Sequence, residues 1–394
     1  MDDGVWDVVV VGAGPGGSMA ALAAAEAGAR TLLIERALLP RDKLCGGGLI
    51  GVSLDALPAG FTVPARDSSM TAVFTRACGD PRERSAAAPF LTMVNRAEFD
   101  AELVAWAVRA GAQLAQGVRV DDVVERDDMA ERDDLAGRDD VVELRTSAGR
   151  VRARAVVGAD GSASRIARHV GAEYGQVDLG LEVQVDADAS TATRYRGRVV
   201  LDFGGPPGAY AWVFPKGDRL TVGAIAARGL AEEERGYLRA FVRAQGLDHL
   251  PASPVEGHLT RCRTPDSPLG AGRVLLAGDA AGLLEPWTRE GISYALRSGR
   301  LAGGAAAALA VGAMTPEEAL AGYTGAVAGS MGADMAVGAA ALAAYTRHPG
   351  AFHAALGRSG RGWRAFTRLA RGETTLARAA RHRVVRGALA VLGR

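Results

Sequence analysis

The segment that most restricts the fold of this chain is a glycine-rich run between two predicted secondary-structure elements. The continuous β-branched run Val8–Val11 predicts a buried strand, and Ser18–Ala27 predicts an alanine-rich helix. The residues between them allow a tight turn, close approach of a pyrophosphate to the backbone, and close packing of helix on strand. They are Gly12-Ala13-Gly14-Pro15-Gly16-Gly17. The pattern indicates a dinucleotide-binding β–α–β unit with phosphates at the helix start.

A carboxylate at the end of the next strand supports this interpretation. Thr31–Glu35 predicts a second strand, and Glu35 stands 18 residues after Gly17. A carboxylate at this point can accept hydrogen bonds from the ribose of an adenine dinucleotide. Because the same unit can hold NAD or FAD, other residues must distinguish between them.

Two aspartates favour FAD. Val151–Val157 and Val274–Ala277 predict buried strands, and Asp160 and Asp279 follow them in glycine-containing turns. A single aspartate in this position could simply cap a helix. Three strand ends with glycines in one chain instead indicate several loops converging on one large dinucleotide, so we expect FAD.

The rest of the pattern gives the fold class, which we predict to be α/β. A doubly wound, Rossmann-like FAD-binding domain would be interrupted by an antiparallel-sheet substrate domain and followed by a helical C-terminal segment. Four short β-like runs predict the antiparallel sheet: Leu179–Val185, Arg198–Phe203, Ala209–Phe214 and Arg219–Ala226. The predicted boundaries are residues 1–65, 95–175 and 272–315 for the FAD-binding domain, 66–94 and 176–271 for the substrate domain, and 316–394 for the helical segment.

Charge and cysteine content argue against several classes of protein. The 46 basic and 45 acidic residues nearly balance, so no overall field favours nucleic acid. Three scattered cysteines are too few for a disulfide framework or a zinc site, and we expect no metal. The acidic start does not resemble a signal peptide, and the longest uncharged run, Leu301–Pro316, is short for a membrane span. We expect a cytoplasmic protein.

Three motifs carry a family resemblance. They are the loop Pro40–Leu49 (PRDKLCGGGL), the strand Tyr210–Lys216 (YAWVFPK), and the turn Gly278–Gly282 followed by Pro286 and Glu290-Gly291-Ile292. They resemble the cofactor loop, the aromatic substrate-cavity motif and the flavin turn of the geranylgeranyl reductase family of FAD-dependent oxidoreductases. That family is related to p-hydroxybenzoate hydroxylase. The resemblance extends over roughly residues 5–310, with the motifs in the expected order.

The resemblance implies how the cofactor is bound. Arg96 would reach the FAD pyrophosphate, Val120 would contact adenine through its backbone, and Asp279 would bind ribityl or phosphate oxygens. Gly291 and Ile292 would direct backbone N–H groups to the flavin N1–C2=O edge, where a helix start stabilises negative charge. The expected cofactor contacts are Gly12, Gly14, Pro15, Gly17, Glu35, Arg36, Arg41, Cys45, Gly46, Gly48, Arg96, Val120, Asp160, Asp279, Gly291 and Ile292.

The expected catalytic residues are Cys45, Tyr210, Trp212 and Lys216. The loop containing Cys45 would line the isoalloxazine, where its thiol is either a proton donor or only a small residue at a tight turn. The aromatic strand would line the substrate cavity, although ordinary core packing would produce the same pattern. Because its aromatic residues alternate, we expect them to lie on two faces of the strand. No acid is identified on the substrate side.

The resemblance implies a reductase that saturates carbon–carbon double bonds of an isoprenoid (geranylgeranyl-type) or related apolar substrate, a prenyl or polyene compound. Flavin N5 would deliver hydride, with NADPH or ferredoxin as electron donor. The alternative is an FAD-dependent monooxygenase of the same fold acting on an aromatic or polyketide-like substrate. Two departures leave it open: Arg289 replaces a family glycine, and Gly223-Ala224-Ile225 replaces a Gly-x-Gly pair. Arg289 could face the flavin or point outwards, and the lost glycine would narrow the cavity.

Two segments remain. Residues 120–143 form a tandem hexamer repeat, which we interpret as an expanded surface hairpin. Arg358–Arg394 contains ten arginines and one acid, Glu373, interleaved with apolar residues that include Trp363 and Phe366. It could lie on an anionic membrane or form a solvated helical face, so peripheral membrane association is left open.

Overall fold

The first sheet contains the predicted dinucleotide-binding unit. The computed structural model describes residues 4–124 and 141–381. The strands of this sheet are β1 (Val5–Val11), β2 (Thr31–Glu35), β8 (Gln113–Gln116), β9 (Val120–Val124), β10 (Val142–Thr146), β11 (Gly149–Gly158), β17 (Gly270–Ala271) and β18 (Val274–Leu276). They follow the order β17-β18-β11-β1-β2-β8, with β10 pairing with β9 and β11. The pairs from β18 to β8 are parallel, so their carboxyl ends meet at one edge of the sheet.

The second sheet lies across the protein from the first sheet. Its strands are β5 (Thr71–Arg76), β6 (Gly79–Ser85), β12 (Tyr174–Asp186), β13 (Arg198–Phe203), β14 (Tyr210–Pro215), β15 (Arg219–Ala227) and β16 (Glu256–Arg263). They follow the order β16-β12-β15-β14-β13-β5-β6, and all neighbours are antiparallel except β13 and β5. One face packs on a helix through an apolar cluster, which leaves the other face for the cavity described below.

The helices and a small third sheet connect these two sheets. The third sheet consists of β3 (Gly48–Leu49), β4 (Ala65–Ser69) and β7 (Leu91–Val94). The helices are α1 (Pro15–Glu26), α2 (Gly51–Asp55), α3 (Arg96–Arg109), α4 (Arg165–Val170), α5 (Ala189–Tyr195), α6 (Ala231–Ala244), α7 (Ile292–Ala310), α8 (Pro316–Val327), α9 (Ala333–Arg347), α10 (Pro349–Gly357), α11 (Gly360–Ala370) and α12 (Leu376–Ala380).

Helices α1 and α7 lie against each other at backbone distance. A Cβ on Gly299 would overlap the carbonyl oxygen of Gly16, and one on Gly303 would overlap that of Ala20. A Cβ on Gly17 would likewise overlap the Gly12 carbonyl oxygen. The glycines therefore allow two helix starts to point at the same edge of the first sheet.

The C-terminal helices pack on the second sheet. Trp363 and Phe366 of α11 contact Phe74 and Phe90, with ring centroids 5.5–6.1 Å apart. These two aromatic side chains are half-buried and pack against an apolar cluster of the protein. Among the described residues, one continuous helical stretch, Pro316–Arg347, is long and apolar enough to cross a membrane, which alone is weak evidence for a span.

The predicted fold class is confirmed, with local corrections. Helix α1 begins at Pro15, three residues before the predicted start, so the last glycines of the run belong to the helix. Residues 125–140 of the hexamer repeat lie outside the described residues, but β9 and β10 pair antiparallel on either side of them. Part of the Arg-rich segment, residues 382–394, also lies outside. The domain boundaries remain a prediction.

Candidate functional site

A cavity of about 1030 Å³ lies between the two large sheets and reaches the C-terminal helices. The cavity brings together nearly all the residues that the sequence predicted for the site. Those on its wall are Gly12, Gly14, Pro15, Glu35, Arg36, Arg41, Cys45, Gly46, Gly48, Arg96, Val120, Asp160, Tyr210, Trp212, Asp279, Gly291 and Ile292. Gly17 and Lys216 lie behind the wall.

The Glu35 carboxylate is held at the end of β2 by backbone groups. The N–H of Ala13 donates to Oε2 at 2.9 Å, and the N–H of Ala37 donates to Oε1 at 3.0 Å. The side chain is only 5% exposed, yet it reaches the cavity wall. Each carboxylate oxygen can accept more than one hydrogen bond, so this geometry leaves capacity for a ribose.

Two arginines share one buried carboxylate. Arg96 donates to both oxygens of Asp100, at 2.9 and 2.8 Å, and Arg41 donates to the same carboxylate at 3.1 Å. Burial disfavours the Arg96 cation, but the neighbouring Asp100 raises its pKa overall. Both guanidinium groups line the cavity, where they can contact a pyrophosphate.

The two aspartates after the strands have different surroundings. Asp160 accepts from Ser164 Oγ at 2.5 Å and from the Arg165 N–H at 2.8 Å, so it holds the start of α4. The N-cap residue of α4 is Ser164, and Asp160 supports it from behind with both carboxylate oxygens. Asp279 stays partly exposed in the cavity wall, 3.8 Å from the ammonium group of Lys43. Of the two, Asp279 is better placed to bind a ligand.

The residues of this wall fit a flavin dinucleotide. Gly291 and Ile292 at the start of helix α7 line the cavity, so the positive end of the helix faces it, and the Glu290 side chain accepts from the Ser293 N–H at 2.8 Å. A Cβ on Gly14 would approach only Arg41, at 3.7 Å, so the glycine turn stays open on its cavity side. Together with Glu35 and Arg96, these groups match a ribose, a pyrophosphate and an electron-rich ring edge.

The loop around Cys45 lies on the aromatic strand. A Cβ on Gly46 would come within 2.9 Å of the Phe214 ring and 3.3 Å of Trp212 Nε1. The Gly47 N–H donates to Cys45 Sγ at 3.4 Å. Lys216 approaches Gly47 from behind, and burial lowers its pKa. Lys216 therefore lies next to the loop but does not line the cavity.

The aromatic strand presents one face to the cavity. Tyr210, Trp212 and Phe214 all lie on the cavity wall, so the expectation that they occupy two faces is wrong. Alternate residues of a strand share a face, because the side-chain period is two. The Trp212 ring extends over Gly223 on the adjacent strand, where any Cβ would overlap it. Ile225 also lines the cavity, which places a branched side chain where the resembled family has glycine.

Arg289 points inwards. Its Nε donates to Asp178 Oδ2 at 3.1 Å, its Nη1 donates to the Trp287 carbonyl at 2.7 Å, and the guanidinium lies 5.8 Å from the centre of the Tyr210 ring. Both members of the pair are buried. Asp178 raises the Arg289 pKa against the opposing effect of burial, and it compensates the charge. Arg289 is thus a fixed, paired cation of the cavity wall.

Sequence reasoning missed three parts of the site. Glu182 of β12 lines the cavity and is only 4% exposed. His258 lies 3.0 Å from Lys43 Nζ, and burial, with Lys43 beside it, lowers its pKa to about 4. The C-terminal helices contribute Leu356, Phe366, Leu369, Ala370 and Leu376 to the wall. A signal for Glu182 was present, since it is the only charged residue within the predicted strand Leu179–Val185.

The chain resembles known flavoproteins. Residues 5–316 match a family model described as FAD binding domain. Digeranylgeranylglycerophospholipid reductase 2 of Methanopyrus kandleri is 34% identical over 327 residues, which cover 77% of each chain. A solved geranylgeranyl bacteriochlorophyll reductase-like protein from Thermoplasma acidophilum has a TM-score of 0.73 at 22% identity, with 98% of this chain and 95% of the other covered. The flavin-dependent brominase Bmp2 shares the fold with a TM-score of 0.69 at 19% identity, covering 98% and 99% of the two chains.

Proposed function

We propose that this chain, which belongs to the geranylgeranyl reductase family of FAD-dependent oxidoreductases, saturates carbon–carbon double bonds of an isoprenoid or related apolar substrate. The observation that carries the proposal is the continuity of the cavity. Its wall changes from the polar dinucleotide-binding edge of the first sheet to the aromatic face of the second sheet. A cofactor ring and an apolar chain can therefore meet in one cavity.

Different residues of the chain have different roles in the proposed reaction. Bound FAD, once reduced, supplies a hydride at N5. Glu35 and Arg96 hold the ribose and pyrophosphate, and the start of α7 provides positive potential at the ring edge. Trp212 and Phe214 support the apolar chain and exclude water from the reacting bond.

The shape of the cavity limits the substrate. Ile225 stands beside Tyr210 on the adjacent strand and occupies space that a glycine would leave open. We therefore propose that the prenyl chain of the substrate is shorter than a full geranylgeranyl group, or that it bends differently from one where it passes Ile225. NADPH or ferredoxin is the proposed electron donor.

One anaerobic experiment tests the proposal. The purified protein should release non-covalent FAD on denaturation. After chemical reduction without oxygen, a prenyl diphosphate no longer than geranylgeranyl diphosphate should reoxidise the flavin and yield a product heavier by two hydrogens per reduced bond. If the reduced flavin survives every prenyl substrate, yet oxygen plus substrate gives a product heavier by one oxygen atom, the enzyme is a monooxygenase instead.

A further inference from the structure

The cavity face of the second sheet contains an acid with an unused oxygen. Glu182 lies on β12, directly opposite Gly223 of β15, which in turn lies opposite Trp212 of β14. Gly223 has no side chain, and the Trp212 indole ring extends over it. No side chain of Gly223 therefore stands between the Glu182 carboxylate and that ring. The acid therefore shares one row of the wall with the aromatic support for the substrate.

Two polar atoms in this row have no partner. Glu182 Oε2 and Trp212 Nε1 are both buried without a hydrogen bond to any residue that the structure describes. Buried polar atoms nearly always have partners, and leaving one unpaired is costly. The Cys45 loop, which lies next to both side chains, places this acid at the boundary between the cofactor wall and the substrate wall.

The groups that face Glu182 come from three elements. They are Lys216 at the end of β14, Arg96 of α3, and Cys45 and Lys43 of the cofactor loop. Burial raises the pKa of Glu182 to about 7, although Lys216 and the other cations oppose the rise. A carboxyl group with this pKa is about half protonated near pH 7 and becomes fully protonated at lower pH, and the protonated form is the one that a general acid requires.

We propose that Glu182 is the proton donor of the reduction, an inference that rests on the proposed function. One carbon of the double bond receives a hydride from the reduced flavin, and its neighbour receives the proton as the carboxyl O–H bond of Glu182, whose side chain lines the cavity, breaks. The double bond is reduced and the flavin is oxidised. The resulting carboxylate lies among cations and regains a proton from the buried Lys216 ammonium or from water.

The test compares Glu182→Gln with Glu256→Gln. Glutamine keeps the shape of the side chain but cannot act as an acid, and Glu256 is an exposed residue that lies opposite Glu182 on β16. Both variants should keep their FAD content and thermal midpoint. Anaerobic flavin reoxidation by geranylgeranyl diphosphate should slow by about 10²-fold or more in Glu182→Gln, the range for a positioned general acid, and stay unchanged in Glu256→Gln.

The pH dependence provides a second readout. The wild-type rate should fall as pH rises through about 7, because Glu182 then loses its proton, and this fall should be absent in Glu182→Gln. Infrared difference spectra between the wild-type and Glu182→Gln apoproteins should show a band of a protonated carboxyl group. This band belongs to Glu182 and should disappear over the same pH range.

Two results would overturn the role of Glu182 and leave the proposed function intact. Equal reoxidation rates in wild type and Glu182→Gln would do so, as would a Glu182 carboxyl that is already ionised at pH 6. If the wild-type reduced flavin is not reoxidised by any prenyl substrate, the proposed function fails and the role of Glu182 fails with it. Reoxidation of the wild-type flavin by a prenyl substrate therefore distinguishes a failure of the Glu182 proposal from a failure of the proposed function.

Discussion

The cofactor wall and the substrate wall of the cavity differ in how their polar groups are satisfied. On the cofactor wall, Glu35 and Asp160 accept backbone hydrogen bonds, and Asp100 binds two arginines. On the substrate wall, Glu182 and Trp212 each keep a buried polar atom without a partner among the described residues. The polar groups named on the first wall are paired within the protein, whereas the second wall contains two buried atoms that are not. The proposed cofactor contacts and the proposed proton donor thus lie on opposite walls of the cavity.

The largest expected effect is on the cofactor wall. Glu35→Ala removes the acceptor for the ribose and also leaves two backbone N–H groups without their partner. Charged hydrogen bonds contribute about 1.5–3 kcal/mol each, so FAD affinity should fall by one to a few orders of magnitude. Fluorescence titration of the apoprotein with FAD measures this loss. Unchanged affinity would show that another residue holds the ribose.

A smaller effect is expected from the glycine packing behind the same wall. A Cβ on Gly17 overlaps the Gly12 carbonyl oxygen, whereas one on Gly322 of α8 has open space. Gly17→Ala should therefore destabilise the protein by about 1–3 kcal/mol and weaken FAD binding. Gly322→Ala should be neutral or slightly stabilising, because alanine favours helix. Denaturant unfolding of both variants tests the difference, and equal stability would contradict the backbone contact.

On the substrate wall, a substitution should alter the reaction more than the binding of FAD. Trp212→Ala removes apolar support for the chain, so anaerobic flavin reoxidation should slow about tenfold or shift to another double bond. Ile225→Gly should instead improve the use of longer prenyl chains. Product analysis by mass spectrometry with FAD content as the control distinguishes these effects. A loss of FAD in Trp212→Ala would mean that the two walls are not independent.

A separate effect, on the pH dependence of stability, is expected on the back of the second sheet. Burial raises the pKa of Glu234 on α6 to about 8. Because the folded state then holds a proton that the unfolded state releases near its usual pKa, stability should decrease as pH rises from about 5 to 8. Glu234→Gln should flatten this decrease, whereas Glu233→Gln, at an exposed position of the same helix, should not. Thermal midpoints between pH 5 and 8 measure both.

The difference between the cofactor wall and the substrate wall also explains which parts of the site could be predicted from the sequence. The cofactor wall was predictable because its function depends on backbone turns, and glycines such as Gly12 and Gly14 mark those turns at fixed spacing from Glu35. The substrate wall depends on which face of a strand meets the cavity. That is a property of register: the sequence marks Glu182 as the only charged residue of its predicted strand, but only the alignment of that strand with Gly223 and Trp212 places it beside the aromatic support. The inward direction of Arg289 required its partner Asp178, which is 111 residues away.

The backbone contact between α1 and α7 has a consequence for the order in which the two sheets can form during synthesis. Every strand of the second sheet has been made once Arg263 is added, and its pairings need nothing further. The first sheet begins at Val5, but it lacks β18 until Leu276 and its glycine-packed helix until Ala310. The part of the chain that is translated first is therefore completed last. A nascent chain paused between these points would hold every strand of the second sheet opposite an open cofactor site, with the C-terminal part of the cavity wall still to be made.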